Sequence, residues 1–257
     1  MSGVDRTLYL PLYGKALVSQ RGILLHDPWA ETIWAKEAFP LKGKARSRFL
    51  AYYMAMRAAV FDGWLQTQMS QYHQAVVLHL GCGLDSRCHR VGLYGHLWYD
   101  MDQPQVITQR EKHFPPTDHY HLLSGDLRQR DWLQGVPRGG TALVVMEGVS
   151  MYLSPRELAA LLTALKEHFD SLHLLMDVYS TFAARASKYK NPINTVGVTQ
   201  VWGLDDPTTL PLTFVAEQMI TPPEMTAQLK GWEQGIFKKL YAGRFAQRLY
   251  RLYEFEM

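Results

Sequence analysis

The feature that most narrows the folds open to this chain is a glycine turn set directly after a short apolar run. AVVLHL at 75–80 runs straight into GCGLDSR at 81–87. A run of this length, rich in Val and Leu, reads as a strand buried on both faces. Glycine just after it lets the backbone reverse tightly and approach a ligand. Similar short runs recur at 97–101 (LWYDM), 119–123 (HYHLL), 141–146 (TALVVM) and 172–178 (LHLLMDV), with helical stretches between several of them. The clearest such helix spans 154–169, with Ser154 as N-cap and Pro155 in its first turn. Strands alternating with helices predict a mainly parallel, doubly wound α/β sheet.

The flanks differ from this centre. Residues 1–70 read as helical, with apolar residues at helical spacing from Leu8 to Leu17. Asp27-Pro28 opens a second helix, and the longest helical pattern lies at 49–69. Residues 180–210 carry Gly, Asn and Pro without a steady period, which predicts an irregular insertion. A strand at 212–218, a helix at 223–240 and a strand at 248–256 close the chain, the last able to return antiparallel. The expected organisation is one domain over 1–257. It comprises a helical cap (1–70), a cofactor-binding core (71–180), a substrate-cap insertion (181–210) and a closing strand–helix–strand (211–257).

Composition removes several function classes. At 257 residues, 47% hydrophobic and 20% charged, the chain is ordinary for a folded globular protein, which excludes fibrous and disordered classes. A net charge of +3, with one short basic stretch (GKARSR, 43–48), argues against a nucleic-acid partner. No apolar run approaches the ~20 residues needed to span a bilayer, so no membrane partner is expected. Two cysteines, Cys82 and Cys88, form no disulfide framework and suit a reducing, cytoplasmic setting. His113, His119 and His121 cluster without ligands at a fixed helical offset, so no metal site is expected. No GxSxG elbow is present for hydrolase chemistry.

The glycine loop admits two cofactors. Asp102, in MDQP at the end of the second predicted strand, stands where a carboxylate accepts hydrogen bonds from ribose hydroxyls. That arrangement serves both dinucleotides and S-adenosylmethionine. The dinucleotide fingerprint wants Gly or Ala at position 86, where this chain has Ser86, and Asp85 would repel a pyrophosphate but tolerate an ammonium or sulfonium. Both residues favour S-adenosylmethionine. Plain turn glycines are the bland alternative.

Several ordered motifs together resemble the leucine carboxyl methyltransferase family, in the branch of bacterial O-methyltransferases associated with polyketide synthesis. They are YGKALVSQRGILLHDPWA (13–30), AMRAAVFD (55–62), VVLHLGCGLDSR (76–87), WYDMDQPQVI (98–107), SGDLRQRDW (124–132), MEGVSMYL (146–153) and MDVYS (176–180). The resemblance implies a class I methyltransferase fold, a Rossmann-like sheet of seven strands with the last antiparallel, plus an N-terminal helical region. It also implies S-adenosylmethionine as cofactor and S-adenosylhomocysteine as product.

Carried onto this sequence, the resemblance makes Gly81 the first loop glycine and Asp102 the ribose-binding acid. Asp126 and Leu127 would frame the adenine, with Asp131 competing for the acidic role. Glu147 matches the acid after the fourth strand. Arg57 resembles the arginine that pairs with the cofactor carboxylate, and Lys15 a basic cofactor contact. Cys82, Gly83, Gln103 and Gly148 complete the expected cofactor-binding set. Met151, Tyr152 and Trp202 are the expected substrate contacts. Each has a plainer reading: Arg57 as a solvated helix residue, Asp126 as an N-cap.

The resemblance points to O-methylation of a small, polyketide-like molecule; eukaryotic members act on a protein C-terminus, a less expected acceptor here. A carboxylate acceptor is ionised at neutral pH and needs no general base, whereas a phenol or alcohol does. For that role His121, Glu147 and Tyr179 are the candidates, and the residues alone do not rank them. A nicotinamide-dependent oxidoreductase and a non-catalytic S-adenosylmethionine-binding module are the alternative functions.

Overall fold

A computed structural model describes residues 3–41, 43–190 and 200–257 of the chain. Its sheet has seven strands in the order β3-β2-β1-β4-β5-β7-β6. These are β1 (Val76–Leu80), β2 (Trp98–Asp102), β3 (Tyr120–Ser124), β4 (Thr141–Met146), β5 (Ser171–Tyr179), β6 (Thr213–Gln218) and β7 (Tyr250–Glu256). β1 through β5 run parallel, and β7 lies antiparallel between β5 and β6. The strand order reverses between β1 and β4, the place where open α/β sheets form a ligand crevice beyond the strand ends.

Alternation along the strands divides the core into two layers. Val77, Leu143, Val145, Leu175 and Leu252 face one side, where Leu12, Ala30, Phe61 and Leu65 cover them. Those residues come from α1 (Gly3–Gln20), α2 (Pro28–Glu37) and α3 (Arg48–Gln71); α4 (Arg87–Val91) follows β1 and α5 (Pro104–Glu111) follows β2. Leu78, Val144, Met146, Leu174 and Phe255 face the other side, against Leu158, Leu161, Leu162 and Leu165 of α6 (Pro155–His168). With both faces covered, the central strands are mostly apolar, and the buried His79, Asp100 and Asp177 among them are hydrogen-bonded. The α6 start matches its sequence signal: Ser154 and Glu157 form a reciprocal capping box with Pro in the first turn.

The C-terminal elements depart from the expected boundaries. The helix expected over 223–240 is two pieces, α8 (Pro223–Thr226) and α9 (Trp232–Tyr241), interrupted at Gly231, whose φ of 55° no continuous helix allows. A further helix, α10 (Arg244–Leu249), takes the first residues assigned to the last strand. In the expected irregular insertion, Thr181–Lys190 is a helix, α7; residues 191–199 lie outside the described residues. Beyond them Gly203 bridges to Tyr179 and Leu204 N–H donates to the Tyr179 carbonyl at 2.8 Å, which ties this segment to the end of β5. Among the described residues no helix is long and apolar enough to cross a membrane.

Candidate active site

At the C-terminal edge of the parallel strands lies a cavity of about 620 Å³, roofed by Leu8, Pro11 and Lys15 of α1. The loop after β1 forms one wall. Gly81 and Gly83 both adopt positive φ, 72° and 51°, the left-handed region that glycine enters without steric cost. A Cβ on Gly81 would lie 2.1 Å from Val149 Cγ2, so a side chain at that position would displace the turn that follows β4. The Gly81 N–H donates to the Met101 carbonyl at 2.7 Å, which locks this loop to the next strand. Cys82 sits buried between them, and burial pushes its thiol pKa up, away from reactivity.

Asp102 ends β2 at the cavity wall. Its carboxylate accepts from Gly83 N–H at 2.8 Å and Gln103 N–H at 2.7 Å, so two backbone donors fix its orientation. Burial raises its pKa against those hydrogen bonds. Gly125, Asp126, Leu127 and Arg128 follow β3 and line the same end. Asp131, the competitor of Asp126, is exposed on the 3-10 turn Asp131–Gly135 and does not reach the cavity.

The floor is a buried ion-pair network that joins elements far apart in sequence. Arg57 of α3 donates from Nε to Glu147 Oε1 at 3.0 Å, and its terminal nitrogens reach Asp177 at 3.0 Å and the Tyr250 hydroxyl at 2.5 Å. Arg87, at the start of the short helix α4 (Arg87–Val91), pairs with Glu147 from the other side and with Asp62 at 2.7 Å. Arg90 joins Asp62, Asp27 and Asp85. Lys15 reaches down from α1 to Asp85 at 2.9 Å. Burial alone would raise the Glu147 carboxyl, but Arg57 and Arg87 hold it well below the usual carboxylate range. Asp85 is held low in the same way, against burial, by Lys15, Arg87 and Arg90.

Two sequence readings change here. Asp85 is neutralised by three cations, so it presents no bare negative charge to a phosphate, and that argument between the two cofactors falls away. Arg57 is no solvated residue: it is buried and held by two carboxylates. Ser86 is buried too, with its hydroxyl on both Asp27 oxygens at 2.6 and 2.7 Å. Asp27 in turn caps α2, so the glycine loop and the N-terminal helices are fastened together.

The remaining wall is aromatic and thioether: Met54, Met151, Tyr152, Tyr179, Trp202 and Tyr250. Trp202 N–H donates to the Met151 carbonyl at 2.8 Å, and the Tyr179 and Tyr250 rings lie 4.9 Å apart. Burial raises the Tyr152 and Tyr250 hydroxyls above the ordinary phenol range. His121 belongs elsewhere. Its ring stacks on Tyr99 at 4.6 Å beside a separate surface cavity near Glu111, so its candidacy as a base at this site is withdrawn. Pattern reading also missed Asp177 and Tyr250. Asp177 accepts Gly148 N–H at 2.7 and 2.9 Å as well as Arg57, which pins the Gly148 turn to the cavity floor. It stood within the MDVYS motif but carried no signal separating it from a strand residue. Among the described residues no group of three or more His, Cys, Asp or Glu is placed to hold a metal ion.

Comparison with known proteins decides what this geometry belongs to. Residues 6–166 match the Leucine carboxyl methyltransferase family. The chain belongs to that family. Membership makes it a methyltransferase that uses S-adenosylmethionine, and it removes support from the nicotinamide reading of the glycine loop. It is 30% identical to the tetracenomycin polyketide synthesis O-methyltransferase TcmP of Streptomyces glaucescens, over 98% of this chain and 97% of that protein. It is 25% identical to an S-adenosyl-L-methionine-dependent methyltransferase, dpfgK, of Gibberella zeae, over 80% and 77% of the two chains. Among solved structures, a Thermobifida fusca protein described as a methyltransferase superposes with a TM-score of 0.60 at 13% identity, covering 88% of this chain and 87% of that one. Magnesium protoporphyrin IX methyltransferase of Synechocystis PCC 6803 superposes at 0.51 and 12% identity, over 88% and 92%. At such identities the likeness is one of fold, the class I methyltransferase sheet.

Proposed function

We propose that this enzyme methylates an oxygen, that of a carboxylate, on a small, planar, hydrophobic molecule. One observation carries the carboxylate assignment: the acceptor wall holds aromatic rings and methionines, and Glu147, Tyr152, Tyr250 and His79 of the cavity are each already bound or buried. Glu147 is committed to two arginines, and Tyr152 and Tyr250 are held protonated by burial. His79, the one histidine among the described cavity residues, is bound on both ring nitrogens, by Asp100 at 3.1 Å and Arg87 at 3.3 Å. An acceptor that is already ionised needs no general base. The name of the Streptomyces relative supports an O-methyl product and a small-molecule acceptor over a protein C-terminus.

The residues present fit the cofactor. Asp102 offers a fixed carboxylate to a ribose diol, with Gln103 beside it. The floor network holds five carboxylates (Asp27, Asp62, Asp85, Glu147, Asp177) against four cations (Lys15, Arg57, Arg87, Arg90), a balance that favours a positively charged ligand. When bound, S-adenosylmethionine supplies an electrophilic methyl carbon on its sulfonium. Arg57 faces Gly148, its terminal nitrogen 3.5 Å from where a Cβ there would lie, and we assign it the methionyl carboxylate. Gly81, Cys82, Gly83 and Gly148 shape the backbone of that pocket, Lys15 closes it from above, and Asp126 with Leu127 takes the adenine side. Met151, Tyr152, Tyr179 and Trp202 hold the acceptor and exclude water, so that a desolvated oxygen is kept in line with the methyl carbon.

The test is incubation with S-adenosylmethionine and paired aromatic acceptors that differ in bearing a carboxylate or a phenol. The reading predicts a methylated product that mild alkali hydrolyses, as it does an ester. An alkali-stable methyl ether formed on the phenols alone would replace the carboxylate with a hydroxyl acceptor.

A further inference from the structure

The C-terminal helices present a surface that the methyltransferase fold does not require. On α9, Glu233 and Phe237 face inward and are buried, while Trp232, Ile236 and Leu240 recur every fourth residue on the outward side. They are 61%, 40% and 54% exposed, and Phe245 of α10 is 68% exposed. Phe245 stands 6.4 Å from the exposed Phe182 of α7, so α7 and α10 carry an exposed apolar pair of their own. A helix ordinarily turns such residues to the core.

Charge says what this face meets. Residues 230–248 contain Lys230, Lys238, Lys239, Arg244 and Arg248, all exposed, against one acid, Glu233. Glu233 is buried and already bound to Arg21 and Arg48. A second copy of the chain would set these cations against one another, because a two-fold interface brings the same patch together. An anionic partner matches them. Lys239 borders the apolar stripe by helical spacing and Lys230 precedes the helix, and protein–protein interfaces are depleted in lysine. Lysines flanking Trp, Phe and Leu on a short amphipathic helix are instead the pattern of helices that lie in a lipid headgroup layer.

We propose that α9 and α10, with Phe182 of α7, form a docking surface that seats the enzyme on an anionic lipid membrane. The absence of a spanning segment bears on crossing a bilayer, and not on lying upon one. The surface adjoins the acceptor wall: α10 leads directly into Tyr250, and α7 follows Tyr179, both cavity residues. A lipid-soluble acceptor would therefore be drawn from the layer on which the protein rests, though docking itself is independent of the reaction assigned above.

The experiment is co-sedimentation of the full chain with vesicles of phosphatidylcholine alone or with phosphatidylglycerol added, so binding is read without turnover. The expected result is preferential binding to the phosphatidylglycerol vesicles, weakened by salt. Both W232A/F245A and K238E/K239E should bind roughly tenfold less tightly, while their S-adenosylmethionine affinity by calorimetry stays at the wild-type value. Equal binding to both vesicle types, or variants that sediment like wild type, would overturn the proposal. So would no sedimentation at all, which leaves the face to an acidic protein, or a dimer in light scattering that W232A/F245A dissolves, which assigns it to a second copy.

Discussion

Arg57 and Glu147 meet on the cavity floor from positions 90 residues apart, Nε to Oε1 at 3.0 Å, and Arg87 closes on the same carboxylate from the other side. Glu147 therefore holds the long N-terminal helix and the glycine loop in one geometry. Nothing local in the sequence brings these three together; the order of the strands does.

Removing that carboxylate charge leaves two buried guanidiniums short of a partner. Glu147→Gln is expected to lower stability by about 3–5 kcal/mol, the range for breaking a buried ion pair from one side, with a fall in Tm of roughly 10 °C. Thermal unfolding followed by circular dichroism reads it. A Tm within a few degrees of wild type would show that the network contributes little.

The same network sets the acid limit. Burial raises Asp85, Glu147 and Asp100, but the surrounding cations outweigh it and hold all three low, Asp100 at about 2. In the unfolded chain they titrate near ~4, so between those values the unfolded state binds more protons and stability rises with pH. Asp102 and Asp177 are raised by burial and act in the opposite sense, but Glu37, Asp205 and Glu233 are held low as well by their hydrogen-bond partners. Tm should fall as pH drops below about 4, after a shallower decline that begins below about 6.5, where burial lowers the pKa of His89 and His173 and the unfolded chain binds their protons first. A Tm that climbs on acidification would contradict this account.

For the ionised acceptor proposed above, two of the sequence candidates are dispensable for proton transfer. His121→Ala, remote from the cavity, should leave kcat/KM unchanged, and Tyr179→Phe should alter KM more than kcat. Steady-state kinetics of both variants over pH 6–9 measures this. A loss of roughly 100-fold or more in kcat for Tyr179→Phe, with a titrating limb in the profile, would make that tyrosine a general base.

Local pattern carried most of the fold. Buried strands such as Thr141–Met146 are largely apolar along their length, and the Ser154 N-cap with Pro155 marks its helix start within a residue. The glycine loop and Asp102 were legible because a tight turn and a strand-end acid leave a fixed spacing. What stayed hidden was assembled at long range. Asp177 and Tyr250 look like ordinary strand residues, and their bond to each other spans 73 positions. His121 misled because a histidine on a strand carries no sign of which sheet edge it reaches. The helix break at Gly231 depends on one positive φ, and an isolated glycine in a helical pattern does not announce it.

Calorimetric titration of S-adenosylmethionine into the wild-type chain and into Asp102→Ala tests the central claim, that the crevice beyond β1 and β2 is the cofactor site. One site per chain is expected in the wild type and at least a roughly tenfold loss of affinity in the variant, the cost of a ribose diol left without its charged acceptor. Equal affinity in both proteins, or binding of NAD(H) in place of S-adenosylmethionine, would contradict it.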